Sequence, residues 1–330
     1  MSAGEAISPA TNELFTSVTV LTALSLVAWL LFSPPASGAG RATPRTLIEQ
    51  IETAKGGATL HLTAGDYGRL IFPRRDFSPS LRLDAEQARF SGIDLTDVSG
   101  VEIKGGSVVG TGGRSYGIHI RRARDVRVEG MSISAAHRGI VVGASTRISI
   151  VGNTLTGLLS DGVDIALSSW VRVERNTCRN FNPTPALYDA QGRRLKDGDH
   201  PDCIQAWSRP HALPTSDLTI VDNDIEGRMQ GIFLGNHLRR GVDDGGFDRI
   251  VIRDNRVRVG VPNGIVLDSA RDCVVANNTV QSLPLATVPG RPSLAVKANL
   301  RVSGERNLVC GNRVPDVPDT TASKPCPATP

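Results

Sequence analysis

Asp161, Asp164 and Asp202, together with the amides of Gln205 and Gln230, recur at equivalent places in a periodic sequence, and the insertions around them carry Lys196, His200, Arg239 and Arg240. Carboxylates gathered with a histidine can move protons, and neighbouring amides can hold the oxygens of a hydroxylated substrate. Arg138 belongs to the same set one repeat earlier. The plainer reading makes Asp161 and Asp202 turn formers whose carboxylates bond local backbone, Asp164 a solvated charge, and Arg239 and Arg240 surface charges. Location favours chemistry. Three long interruptions of the period, NPTPALYDAQGRRLKDGDHP before Asp202, AWSRPHALPTSD after Gln205 and GNHLRRGVDDGGFD after Leu234, border the same repeats. Irregular loops of that length inside a compact repeat are functional or disordered.

The repeat that must position these residues has two strand patterns. The first comprises VEIKGGSV from Val101, VRVEGMSI from Val126, ISIVGNTL from Ile148, VRVERNTC from Val171, LTIVDNDI from Leu218, IVIRDNRV from Ile250, CVVANNTV from Cys273 and NLVCGNRV from Asn307. A period near 23, lengthened by insertions, is the signature of a solenoid. The sixth position is Asn at 153, 176, 223, 255, 278 and 312. Stacked amides hydrogen-bond in ladders, and Asn tolerates sharp turns, so this column is read as structural.

The second pattern is x-Gly-apolar-x-apolar, as in Asp161-Gly162-Val163-Asp164-Ile165. Period-2 alternation turns the apolar pair inward and the residue between them outward. With coils about 4.8 Å apart, His119, Val141, Asp164, Gln205, Phe233 and Val266 should form one exposed column. Arg138, Asp161, Asp202 and Gln230 should form its neighbour. Few aromatics and 34 glycines also suit a β solenoid with an aliphatic core.

The ends differ from the repeat. Residues 14–40 carry no charge, and the run 15–33 is long enough to cross a bilayer. It is read as an anchor or signal segment within residues 1–40, leaving the domain on the periplasmic or extracellular side, tethered or secreted. The flanks oppose this orientation, because Arg41 and Arg45 follow the run and only acidic residues precede it. Residues 46–72 should form a short amphipathic helix and two strands that cap the open end of the β-helix domain, residues 41–316. Residues 317–330 read as a loose Pro-rich tail. Cys178, Cys203 and Cys273 fall at strand positions and read as small buried hydrophobes; Cys310 and Cys326 could pair after export. The charge of +4 is dispersed without a basic stripe, which excludes nucleic acid as a partner. No cofactor is required. Asp197, Asp199 and Asp202, or Asp243 and Asp244, offer oxygen ligands for calcium, but no EF-hand spacing orders them.

On these patterns the chain resembles the pectin-lyase-like superfamily of right-handed parallel β-helices, which implies an all-β, single-stranded solenoid. Ser160-Asp161-Gly162-Val163-Asp164 is similar to the N-T-D-G-x-D of polygalacturonase-type hydrolases, and Pro201-Asp202-Cys203-Ile204 to the second half of their G-D-D-C. The resemblance implies that Asp161 and Asp202 position or activate an attacking water. The sequence departs from the pattern where it matters: the general acid is replaced by Pro201, the G-H-G histidine by Gln230, and the R-I-K segment by Val266, Leu267 and Asp268. A resemblance to uronan lyases and C5-epimerases, carried by His200-Pro201-Asp202, implies instead His200 or Lys196 as base and Arg138, Arg239 or Arg240 neutralising a substrate carboxylate. The expected function is an exported carbohydrate-active protein working on a polysaccharide as lyase, epimerase or hydrolase. The competing expectation is a noncatalytic glycan-binding or envelope scaffold.

Overall fold

Alternating apolar residues in each repeat close into coils, and a computed structural model describes residues 40–184, 186–208, 215–235, 245–284, 297–317 and 324–327. Each coil contributes strands to three faces. The first face includes Tyr116–Arg121, Arg138–Gly143, Val163–Ala166, Asp202–Trp207, Gln230–Gly235 and Asn263–Arg271. The second includes Arg124–Glu129, Thr146–Val151, Ser169–Glu174, Thr219–Val221, Val251–Arg253, Val274–Ala276 and Leu308–Cys310. The third is a 9-stranded sheet that includes Thr154–Thr156, Thr177–Arg179 and Asp224–Gly227. Within each face, strands pair in parallel with their counterparts in adjacent coils. The chain is thus a right-handed parallel β-helix, the hand expected of parallel crossovers.

The core is a stack of aliphatic pairs. Ile140 with Val142, Val163 with Ile165, Ile204 with Ala206 and Ile232 with Leu234 are all fully buried. The glycine that opens most first-face strands is required by close approach of the next coil. A Cβ on Gly139 would lie 2.5 Å from the Gly162 carbonyl oxygen, and one on Gly231 would lie 2.2 Å from that of Gly264. In the coil of Asp202, Cys203 takes this corner position and is bonded to Cys178 of the preceding coil.

That disulfide, with Cα atoms 5.9 Å apart, corrects the reading of Cys178 and Cys203 as plain hydrophobes. Their partners sit on different faces, so only the stacking of coils brings them together. Cys273 is free and buried as read. Cys310 does pair with Cys326, and Gly311 N–H donates to the Lys324 carbonyl at 2.6 Å. The described part of the Pro-rich tail is therefore tied to the last coil rather than loose.

The asparagine column forms the ladder its spacing predicts. Asn153 N–H and Nδ2 both donate to Asn176 Oδ1, at 2.9 and 3.0 Å. The same pair of bonds joins Asn176 to Asn223, Asn223 to Asn255, Asn255 to Asn278 and Asn278 to Asn312. The Nδ2 groups also donate to buried carbonyls such as those of Ile150 and Val173. All six amides are buried, so an unsatisfied one would be expensive.

At the N-terminal end, the helix Leu47–Thr53 buries Leu47 and Ile51 on one stripe, as the amphipathic pattern requires. No helix among the described residues is long and apolar enough to cross a membrane. The hydrophobic run 15–33 lies outside the described residues.

Asn223→Ala should strip the acceptor from Asn176 and the donor from Val173 inside the wall. We expect a loss of about 2–4 kcal/mol from the resulting buried orphan groups, read as a lower melting temperature with no change in secondary-structure signal at 20 °C or so.

Candidate active site

The first-face register aligns the predicted columns residue for residue. His119 pairs with Val141, Val141 with Asp164, Asp164 with Gln205, Gln205 with Phe233 and Phe233 with Val266. Asp202 pairs with Gln230, and Gly139 N–H donates to the Asp161 carbonyl one coil on. The expectation of an exposed column is corrected, however. Asp164, Gln205 and Val266 are buried, and Asp164 has the Arg138 side chain folded over it from the coil before.

Arg138 is the principal cover. Its Nε lies 2.9 Å from Asp161 Oδ2 and its Nη1 lies 3.0 Å from Asp164 Oδ2, so one guanidinium spans two carboxylates of the next coil. Asp202 follows one coil further. Its backbone N–H donates to Asp161 Oδ1 at 3.2 Å, its Oδ2 accepts from Gln205 Nε2 at 2.6 Å, and Gln205 Oε1 accepts from Trp207 Nε1 at 2.5 Å. Three carboxyl groups, one guanidinium and two donors therefore form a single cluster.

Burial sets the protonation of this cluster. Asp202 is 0% exposed. Desolvation pushes its carboxyl well above the usual range, the neighbouring Asp161 and Asp164 carboxylates push it further, and the Gln205 amide only partly opposes them. Its Oδ1 is buried without a hydrogen-bond partner among the described residues. Asp161, at 2% exposed, is also raised by desolvation, but Arg138 and the Asp202 N–H oppose the rise. Two acids in one pocket are thus driven apart, with Asp202 keeping its proton longer.

Beside the cluster is a cavity of about 490 Å³ lined by Arg114, Tyr116, His137, Arg138, Lys196 and Asp199, among others. Lys196 is carried there by the antiparallel pair Leu187–Tyr188 and Arg194–Lys196, in the insertion that the Cys178–Cys203 disulfide closes. Asp199 clamps the base of that insertion. Its Oδ2 accepts from Thr184 N–H at 3.1 Å, its own N–H donates to the Thr184 carbonyl at 2.9 Å, and its Oδ1 lies 3.7 Å from His137 Nε2. Burial alone would raise Asp199, yet the bonds from Thr184 and the charge of His137 hold it below the usual carboxylate range.

Several expected residues take other positions. His200 is exposed and makes no hydrogen bond or ion pair among the described residues. Gln230 is half-buried, with Oε1 accepting from Asn263 Nδ2 and its N–H donating to the Pro201 carbonyl. Arg239 and Arg240 lie outside the described residues, as do Asp243 and Asp244. Among the described residues no group of three or more His, Cys, Asp or Glu is placed to hold a metal ion. Asp199 is committed to its clamp and Asp202 is sealed inside the acid cluster, so they do not converge on a calcium site.

Sequence reasoning missed His137 and Asp94. His137 directly precedes Arg138 and could have been found as its neighbour at the same corner. Asp94, whose Oδ2 lies 3.3 Å from His119 Nδ1, sits in Ser91-Gly92-Ile93-Asp94-Leu95, an earlier copy of the second pattern.

Comparison with known proteins finds the following likenesses. A family model described as "right handed beta helix region" matches residues 76–198. Among solved structures, the Dettilon tailspike protein gp208 is 14% identical with a TM-score of 0.42, over 74% of this chain and 55% of that one. The catalytic domain of a GH87 alpha-1,3-glucanase is 12% identical at 0.38, over 76% and 56%. The A-module of an Azotobacter vinelandii mannuronan C-5 epimerase is 13% identical at 0.41, over 86% and 94%. The chain spans just over half the length of the tailspike and glucanase chains. No curated protein matches it.

Because the folded-state pKa of Asp202 lies above its unfolded value of about 3.9, the native state holds the extra proton and stability falls as pH rises through the folded pKa. Asp202→Asn keeps an acceptor for Gln205 and removes that cost. Its denaturation midpoint should exceed that of the parent at about pH 8, with the gain shrinking to nothing near pH 4. A gain that grew on acidification would overturn the assignment.

Proposed function

We propose that this chain is a carbohydrate-active β-helix that acts on a polysaccharide lying across the first face, in the cavity beside Arg138. The observation that carries the reading is the geometry of Asp161 and Asp202, which meet in one buried cluster where the Arg138 guanidinium holds Asp161 and, among the described residues, the Gln205 amide alone holds the Asp202 carboxyl. Two acids whose environments separate their pKa values divide into donor and base. Asp202 supplies the proton donor whose usual place is taken by Pro201: its proton goes to the departing glycosidic oxygen while Asp161 draws a proton from the attacking water.

Arg138 gives the substrate a way in. It is the half-exposed cover over Asp161 and Asp164, and a carboxylate on the sugar competes for its guanidinium. With Arg114 and Lys196 in the same wall, the cavity favours an acidic polymer. Gln205 holds the Asp202 carboxyl from within the cluster, and Gln230 lies in register with Asp202 on the next coil. The two disulfides support folding in an oxidising compartment and hence an exported protein, with residues 1–40 as the export or anchoring segment.

One observation favours a second reading, a noncatalytic glycan-binding or scaffold β-helix. Asp202 and Asp161 are almost wholly buried, and Arg138 neutralises the cluster as a structural ion would. Incubating the protein with acidic and neutral polysaccharides separates the two. New reducing ends without unsaturated uronide absorbance support the hydrolase, that absorbance supports a lyase, and binding without turnover supports the scaffold. Asp202→Asn should lower kcat at least about 100-fold, and Arg138→Ala should chiefly raise KM. Full turnover by both Asp161→Asn and Asp202→Asn would remove the site.

A further inference from the structure

The first-face strands end, opposite the acid cluster, in turns that lead to the second face, and just beyond one of these turns the strand Ser169–Glu174 presents Trp170 to solvent. The ring is 63% exposed, and its backbone is left-handed at φ 55°, a conformation that a bulky side chain disfavours. Its neighbours along the stack follow from the register. Thr146 pairs with Ser169 and Ile148 with Val171, which sets Arg147 below it; Ser169 pairs with Ser216, which sets Asp217 above it.

Both neighbours are already satisfied. Arg147 donates to both oxygens of Asp125 at 2.5 and 2.8 Å, and Asp217 accepts from both Nε and Nη2 of Arg249 at 2.7 and 2.8 Å. Among the described residues nothing stacks on Trp170 or bonds its indole nitrogen. The column is otherwise one of short or charged residues forming Asp–Arg pairs, and the indole interrupts it where Asn or Asp would fit the backbone better.

A groove of about 590 Å³ runs along the turns beside this column and ends at Leu167, three residues before Trp170, which is not itself part of its lining. Its floor is small, with Ala144 and Ser145, and Arg122, Arg124 and Thr146 contribute its polar lining. With coils about 4.8 Å apart, the groove spans several sugar-sized steps. We propose that Trp170 is the stacking platform of a second saccharide-binding surface, separate from the acid cluster and set at the other end of the same strands. A pyranose ring has an apolar C–H face for the indole and equatorial hydroxyls for the flanking ion pairs. An apolar protein partner would have to strip water from the Arg147–Asp125 and Asp217–Arg249 pairs, at a cost that one ring and Leu167 do not offset.

The test uses the full-length chain and four soluble probes: polygalacturonate, alginate, dextran and laminarin. The parent binds at least one of them in affinity electrophoresis. Trp170→Ala and Trp170→Asn weaken that binding at least about tenfold, whereas Trp170→Phe keeps most of it. Trp170→Asn melts no lower than the parent, because Asn suits the left-handed backbone, so lost binding does not report misfolding. The same fold loss is seen in an Arg138→Ala background, since the two surfaces share no residue. Equal binding by Trp170→Ala and the parent overturns the proposal, as does a parent that binds none of the probes. Concentration-dependent self-association abolished by Trp170→Ala also overturns it, by assigning the ring to a protein contact.

Discussion

Everything in this protein depends on one coil lying in register on the next, and the buried asparagine ladder is the interaction that enforces it. Between the ends of the ladder, Oδ1 takes two donors from the coil before, and Nδ2 gives to the coil after and to a backbone carbonyl. A slip of one residue would leave these groups unpaired inside the wall, where no water can replace them. The apolar pairs beneath the first face fill space, but they are chemically alike from coil to coil and hold register less selectively. Polar groups with fixed valence supply what aliphatic packing lacks.

The same stacking creates the electrostatic problem at the first face. Asp161 and Asp164 come from one coil and Asp202 from the next, beyond a long insertion, and stacking brings all three within one cluster. A single guanidinium, from Arg138, covers two of them. The third is left to Gln205, and burial pushes its carboxyl above the usual range. Such an arrangement costs stability in a wall that could have been made of valine, as Val141 in the preceding coil illustrates. The local expense is concentrated where the period is interrupted, which is how binding and catalytic sites are usually placed on repeat scaffolds.

The Cys178–Cys203 bond connects the two themes. It replaces the corner glycine of one coil by a covalent tie to the coil before, and it closes the insertion that carries Lys196 and Asp199 to the cavity. A cross-link at the root of a long insertion limits how far the insertion can move without restraining its tip. The second disulfide likewise ties Cys326 to the coil of Cys310.

Spacing alone determined the solenoid, the asparagine ladder and the neighbours of Asp164, because a fixed period and a period-2 alternation leave one register for each face. The N-terminal cap was legible for the same reason, from the Leu47 and Ile51 stripe. What the sequence could not carry was the direction and reach of long side chains. Arg138 folds over Asp161 and Asp164, so an outward position became a buried one. Cys203 turns into the corner to meet Cys178, and His137 meets Asp199 across an insertion of no fixed length. Those contacts, and the upward push on the Asp202 carboxyl, arise from distances between coils and from exclusion of water, which only the tertiary structure sets.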